Sequence, residues 1–263
     1  MRRKRTKKNK RKYLYSSIMF VLALGIVSGV TYTYFKNTYV FTFGSQKNLP
    51  IYRVDTEEKK IAITFDVNWG DDRTKEILEV LDKHKAKATF FLIGKWIDNS
   101  EENVNNVKEI DAKGHEIGNH SNFHPDFTNL SREKIIKELE ITDSKIYNLI
   151  NKSNKLFRFP KGAYNQNSVE IVKSLGYLPI QWDVDSIDWK EEGEEIEYDR
   201  VVKKIKPGSI ILFHTNTKYT PNNLDKIISK FKQEGYEFVR VSDMIYHKNY
   251  EIDMTGMQKK LKI

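Results

Sequence analysis

The chain has 263 residues, no cysteine, and 45 Lys and Arg against 36 Asp and Glu, a formal net charge of +9. Disulfides and cysteine-ligated zinc are excluded. A disordered body is also excluded, because 39% hydrophobic and 12% aromatic residues can build a core.

The charge has a location. Residues 1–12, MRRKRTKKNKRK, hold nine basic residues and no acid, and the remainder carries 36 of each sign. The body therefore has no overall charge with which to bind polyanions, and no nucleic-acid partner is expected. Residues 13–35 follow, uncharged from Ser16 to Thr31 and flanked by Tyr13, Tyr15, Tyr32, Tyr34 and Phe35. With its aromatic ends this stretch reaches the roughly 20 residues that a bilayer core requires. Nine positive charges before it predict a cytoplasmic N-terminus and an extracellular body on a single-pass membrane anchor. A cleaved signal peptide is the rival reading, with Val27-Ser28-Gly29 as a weak cleavage site. Residues 36–57 read as a stalk and lead-in, 58–248 as the main domain, and 249–263 as a C-terminal tail.

The body alternates short apolar runs with amphipathic stretches. The runs are 61–65, 88–93, 115–120, 155–160, 177–184, 208–214 and 237–242, and their β-branched and aromatic content reads as buried strands. Between them, RTKEILEVLDKH places Ile77, Leu78 and Leu81 on one helical face. Ser131 offers an N-cap to the next long helix, and Gly176 and Gly235 sit where helices end. About seven strand–helix repeats indicate a parallel α/β domain.

Polar residues cluster at the carboxyl ends of these runs: Asp66, His120, Arg158, Asp185 with Asp188, and His214. Such ends converge in a barrel, whereas in an open sheet only strands beside the crossover meet. The pattern favours a distorted (β/α) barrel. His120 and His124, four residues apart in HSNFH, are spaced either to share a metal ion or simply to pair. Arg158 is suited both to a structural ion pair and to orienting a carboxylate such as Asp66. Asp188 could raise the pKa of His214 and make it a general acid. Asp71 and Asp72 precede a helix and fit an N-cap. Together these groups suggest metal-assisted hydrolysis. No phosphate-binding glycine loop or GxSxG nucleophile elbow is present.

The ordered set TFDVNWG (64–70), HSNFH (120–124), RFPKGAY (158–164), DSIDW (185–189) and LFH (212–214) resembles the five motifs of the NodB-homology polysaccharide deacetylases, carbohydrate esterase family 4. The resemblance spans about Leu49 to Tyr246 and is similar in form to membrane-anchored Firmicutes enzymes. It implies a distorted barrel and a divalent metal ion, zinc or cobalt. The implied activity is removal of N-acetyl groups from a cell-wall glycan, peptidoglycan being the natural substrate, with no protein partner. Asp66 then matches the catalytic base, Arg158 its orienter, His120 and His124 metal ligands, and Asp188 and His214 the general-acid pair. Trp189 and Leu212 match acetyl-pocket walls, and Tyr164 belongs to the same pocket motif. Trp69 and Trp182 are candidates to stack on sugar faces.

Two departures stand out. Val67 occupies the place of the family's third metal ligand; Asp71 or Asp72 could loop back to replace it, Asp66 could touch the ion directly, or water could fill the place. Lys161 replaces an aromatic residue but keeps the backbone N–H that stabilises the oxyanion. An active N-deacetylase is the main expectation. Its rivals are a membrane-anchored glycan-binding protein with a weakened site on the same scaffold, and a metal-dependent amidase for small amides.

Overall fold

The computed structural model describes residues 48–70, 72–153 and 155–261. The basic tail, the anchor segment and nearly all of the stalk before Asn48 lie outside the described residues, as does Asp71. Among the described residues no helix is long and apolar enough to cross a membrane.

The core is one curled sheet of parallel strands. In chain order they are β2 (Lys60–Val67), β3 (Ala88–Leu92), β4 (Glu116–Asn119), β5 (Leu156–Phe157), β6 (Leu178–Pro179), β7 (Val184–Asp185) and β8 (Ile210–His214). Their spatial order is β6-β5-β4-β3-β2-β8-β7, and β9 (Glu237–Phe238) pairs with the start of β2. This is the expected distorted barrel of seven parallel strands, in the form of a half-barrel.

Strand β2 lies at its centre because KIAITFDV is buried almost throughout, as a parallel strand covered on both faces must be. Its alternate side chains Ile61, Ile63, Phe65 and Val67 join the cluster formed with Ile77, Leu81, Leu224 and Ile227 of the flanking helices. Ala62 packs on the opposite side with Phe91 and Ile210. The period-2 pleat thus sends Asp66 and Val67 to opposite faces.

The apolar run 177–184 divides into β6 and β7, which stand at opposite ends of the sheet. The chain between them crosses the barrel's open seam. Ile51 fills part of that seam: its N–H donates to Pro179 O at 2.8 Å and its carbonyl accepts from Gln181 N at 2.7 Å. Pro179 is tolerated because β6 is an edge strand. Farther on, β1 (Arg53–Val54) pairs with β11 (Met257–Lys260), which pairs in turn with β10 (Tyr250–Ile252). The C-terminal residues thus fold back as a hairpin beside the lead-in. Gly208 permits the close approach there: its φ is +77°, and a Cβ would lie 2.0 Å from Val54 O.

The helices start and stop as their sequences direct. Helix 132–150 is capped by Ser131, whose Oγ accepts from Lys134 N. Helices 166–174 and 220–233 are followed within two residues by Gly176 and Gly235 at positive φ.

Candidate functional site

The carboxyl ends of β2, β4, β5, β7 and β8 meet at one end of the half-barrel. Register alone places Asp66 beside His214, and Asn119 beside Phe157. The residues that follow, His120 and Arg158, are thereby brought to Asp66.

Asp66 is 5% exposed. Arg158 Nη1 donates to its Oδ1 at 2.8 Å. The guanidinium is fully buried and also donates to Ile180 O and Gln181 O, with the Phe91 ring 4.2 Å from its carbon. Burial by itself would raise the Asp66 pKa, but the charges of His120, Arg158 and His214 and the Arg158 hydrogen bond outweigh it and hold the carboxyl below its ordinary value. Arg158 thus forms the ion pair with Asp66 that its place in the sequence suggested.

The HSNFH loop is held largely by polar groups of neighbouring elements. His120 Nδ1 lies 2.9 Å from Arg158 O, which makes Nδ1 the protonated nitrogen, and its Nε2 is 3.4 Å from Asp66 Oδ2. Ser121 and His124 have φ of 68° and 58°, conformations costly for non-glycine residues. Glu138 holds this turn, its Oε2 accepting from both Asn122 N and Phe123 N at 2.8 Å. Lys145 Nζ adds a bond to Asn122 Oδ1 at 2.8 Å. The His120 and His124 rings meet edge to face, 4.8 Å between centroids. Burial, then the neighbouring His120, lowers the His124 pKa to about 4, leaving a neutral imidazole at neutral pH.

The His214–Asp188 pair is present. His214 Nδ1 lies 2.7 Å from Asp188 Oδ1, and Asp188 Oδ2 accepts the His214 main-chain N–H at 2.7 Å. Burial would lower the His214 pKa, but the hydrogen bond and charge of Asp188 raise it above the ordinary value.

These groups floor or flank a cleft of about 500 Å³ lined by Asp66, His124, Lys161, Trp182, Trp189, Leu212 and His214, among others. Lys161, at φ 59°, and Gly162, at φ 65°, turn the chain along its rim. Trp189 is 60% exposed beside the buried Leu212. Trp69 is half-exposed next to the cleft, its carbonyl accepting from Asn216 Nδ2 at 2.7 Å. Tyr164 stands apart from the cleft lining: its hydroxyl bonds to Tyr52 and its ring packs on Phe159.

The donor set does not fit a metal ion. Val67 is fully buried in the helix-facing cluster and supplies no donor. Asp72 cannot replace it: Oδ1 accepts from Thr74 N and Thr74 Oγ1, and Oδ2 accepts from Asn106 Nδ2. Both oxygens are thus spent in the turn that leads into helix 74–83, whose N-cap position is Arg73. Asp71 lies outside the described residues. Asp66 commits Oδ1 to Arg158 and leaves Oδ2 3.4 Å from His120 Nε2, which is buried without a hydrogen-bond partner. Two imidazoles without an anionic third donor fall short of the three protein ligands of a catalytic zinc site. Among the described residues no group of three His, Cys, Asp or Glu could hold a metal ion. The expected zinc or cobalt cofactor is therefore corrected.

The supporting residues Glu138, Thr217 and Thr220 went unnoticed in the sequence. Each is a common surface-type residue whose partner lies 15–32 positions away, so no local spacing marks it.

Comparison with known proteins places this geometry in context. Residues 53–180 match the family profile for polysaccharide deacetylase. The chain is 33% identical over 205 residues to the peptidoglycan-N-acetylmuramic acid deacetylase PdaA of Bacillus subtilis (strain 168), covering 76% of this chain and 77% of PdaA. Wild-type BA3943 of Bacillus anthracis, described as a CE4 family pseudoenzyme, superposes with a TM-score of 0.70 at 36% identity, over 75% of this chain and 69% of that one. A BA3943 mutant with restored enzymatic activity gives the same TM-score at 37% identity, over 75% of this chain and 71% of that one. The incomplete donor set and the likeness to a pseudoenzyme overturn the expectation of an active metal-dependent N-deacetylase. What survives is the scaffold, with its ordered motifs, parallel half-barrel and paired carboxylates, and on that ground the chain belongs to the polysaccharide deacetylase family.

Proposed function

We propose that this chain is a glycan-binding member of the family with a catalytically weakened site, which recognises N-acetylated cell-wall polysaccharide in the cleft without efficient turnover. One observation carries the reading. Val67 removes the third donor, yet the Asp66–Arg158 and His214–Asp188 pairs and the open cleft are intact. A polar floor of this kind can hydrogen-bond an acetamide, and Leu212 and Trp189 can enclose its methyl group. Lys161 contributes its backbone N–H at the rim. The glycan class follows from PdaA, whose name specifies peptidoglycan. Residues 13–35 anchor the chain, with 1–12 on the cytoplasmic side, 36–57 as stalk and lead-in, and the 58–248 domain outside the membrane.

The test compares retention of the full chain on N-acetylated and chemically de-N-acetylated peptidoglycan, with acetate release measured in parallel. Selective retention on the N-acetylated polymer is expected, with acetate at background whether or not zinc is added. Trp189→Ala is expected to weaken retention about 10-fold, roughly 1.4 kcal/mol. Equal retention on both polymers overturns the binding assignment. Acetate release at the rate of PdaA overturns the weakened site.

A further inference from the structure

Behind the His214–Asp188 pair lies a second buried acid. Glu197, on helix 194–202, is 3% exposed. Its Oε1 is 3.3 Å from Thr220 Oγ1. Thr220 Oγ1 is 3.0 Å from Asp188 Oδ2 and 2.7 Å from Thr217 Oγ1. A continuous chain of polar atoms therefore runs from Glu197 through Thr220 and Asp188 to the imidazole that lines the cleft.

The protons available to this chain decide its state. Thr220 has one hydroxyl proton and two carboxyl groups within reach. If both acids were ionised, they would compete for that proton; Asp188 would keep the His214 N–H, the Nδ1–H and the Thr217 hydroxyl, so Glu197 would be the anion that loses the Thr220 donor. Among the described residues no cation forms an ion pair with Glu197, and only the charge of Arg200 acts on it from a distance. Arg200, on the same helix, is directed to Ser186 O and Glu192. Asn223 faces Glu197 from helix 220–233 and its hydrogen bonding partly offsets the burial of that carboxyl, although its Nδ2 also serves Glu194 O and its Oδ1 is unpartnered. Glu197 Oε2 is likewise buried without a partner, a state far less costly for a neutral carbonyl oxygen than for an anion.

We propose that Glu197 is a positioning residue that works as a protonated acid: it donates to Thr220 Oγ1, which commits the Thr220 hydroxyl to Asp188 Oδ2 and leaves Asp188 Oδ1 to hold the Nδ1–H of His214. The consequence is a fixed tautomer, with Nε2 left for whatever occupies the cleft. The protonated form is the majority form below about pH 7. Burial, reinforced by the charge of Asp188, raises the Glu197 pKa to about 7, while Asn223, Thr220 and Arg200 oppose it. This assignment concerns the pair itself and stands independently of the ligand in the cleft.

The experiment is an NMR pH titration of the full chain that follows the Glu197 carboxyl carbon and the His214 ring. The Glu197 signal is expected to move near pH 7, with a matching inflection in His214. Glu197→Gln, which still donates but cannot ionise, is expected to erase the inflection and leave the main His214 step within about 0.3 pH unit. Thr220→Val, which cuts the chain, is expected to lower that step by about 0.5 unit or more. A Glu197 signal that titrates at the ordinary glutamate value overturns the proposal, and this wild-type measurement decides even if Thr220→Val does not fold. A Glu197→Gln shift as large as that of Thr220→Val also overturns it, since that is the signature of a lost negative charge. So does a Thr220→Val variant that leaves His214 unmoved.

Discussion

Arg158 and Asp66, 92 positions apart in sequence, form a buried ion pair at 2.8 Å with the arginine wholly removed from solvent. The guanidinium has no water to fall back on and the carboxylate very little, so the energetics of the pair are asymmetric. Keeping both partners is tolerable, and removing one strands the other.

Arg158→Met is therefore expected to destabilise the fold by about 3–5 kcal/mol, measured by urea unfolding. Arg158→Lys is expected to recover little of it, because an ammonium cannot serve Asp66, Ile180 O and Gln181 O at once from a planar fork. A neutral outcome for either variant would show that the pair is not the keystone of this end of the barrel.

Val67→Asp tests the incomplete donor set. The wild-type melting temperature is expected to be insensitive to zinc. In chelator the variant is expected to melt below wild type, because it buries a carboxylate in an apolar cluster. Added zinc is expected to raise the variant by about 5 °C or more, because position 67 ends β2 and the desolvation cost of a carboxylate in that cluster drives it out toward the histidines, where binding stabilises the folded state. A variant indifferent to zinc would mean that position 67 does not control metal affinity here.

Glu138 is expected to control the histidine loop. Glu138→Ala removes the acceptor of two backbone N–H groups while two residues of that loop remain at positive φ. The amides of Asn122 and Phe123 are expected to exchange at least 10-fold faster, about 1.4 kcal/mol of lost protection. Unchanged exchange would place the restraint on Lys145 instead.

Acid is expected to weaken the fold through His115. This residue is 4% exposed, accepts from Ala88 N, and has a pKa lowered by burial, and then by Lys87, from 6.5 to about 4. The unfolded chain takes up a proton below about pH 6.5, whereas the folded chain resists until about pH 4. Stability attributable to this group is therefore intact above that window and falls with decreasing pH by roughly 1.4 kcal/mol per unit within it. Denaturation midpoints of His115→Gln are expected to vary less between pH 6.5 and 4 than those of wild type. Parallel curves would assign the acid sensitivity elsewhere.

The sequence by itself determined the strand–helix alternation, the parallel half-barrel and the family. It also determined which residues end the strands, because periodicity, caps and short motifs are local properties. Asp66, His120, Arg158, Asp188 and His214 were legible for that reason. Tertiary structure decided what those residues amount to. The run 177–184 reads as one strand, yet its halves pair with opposite edges of the sheet, a choice made by barrel closure. Asp72 reads equally as a ligand or a cap until Thr74 and Asn106 claim both of its oxygens. Glu197 is an ordinary helical glutamate until folding buries it behind Asp188. Val67 was visible as a departure from the outset, but only packing shows that its side chain belongs to the helix-facing core, while Asp66 one residue earlier faces the cleft. Burial, register and the allotment of single protons depend on partners far apart in the chain, which local pattern cannot encode.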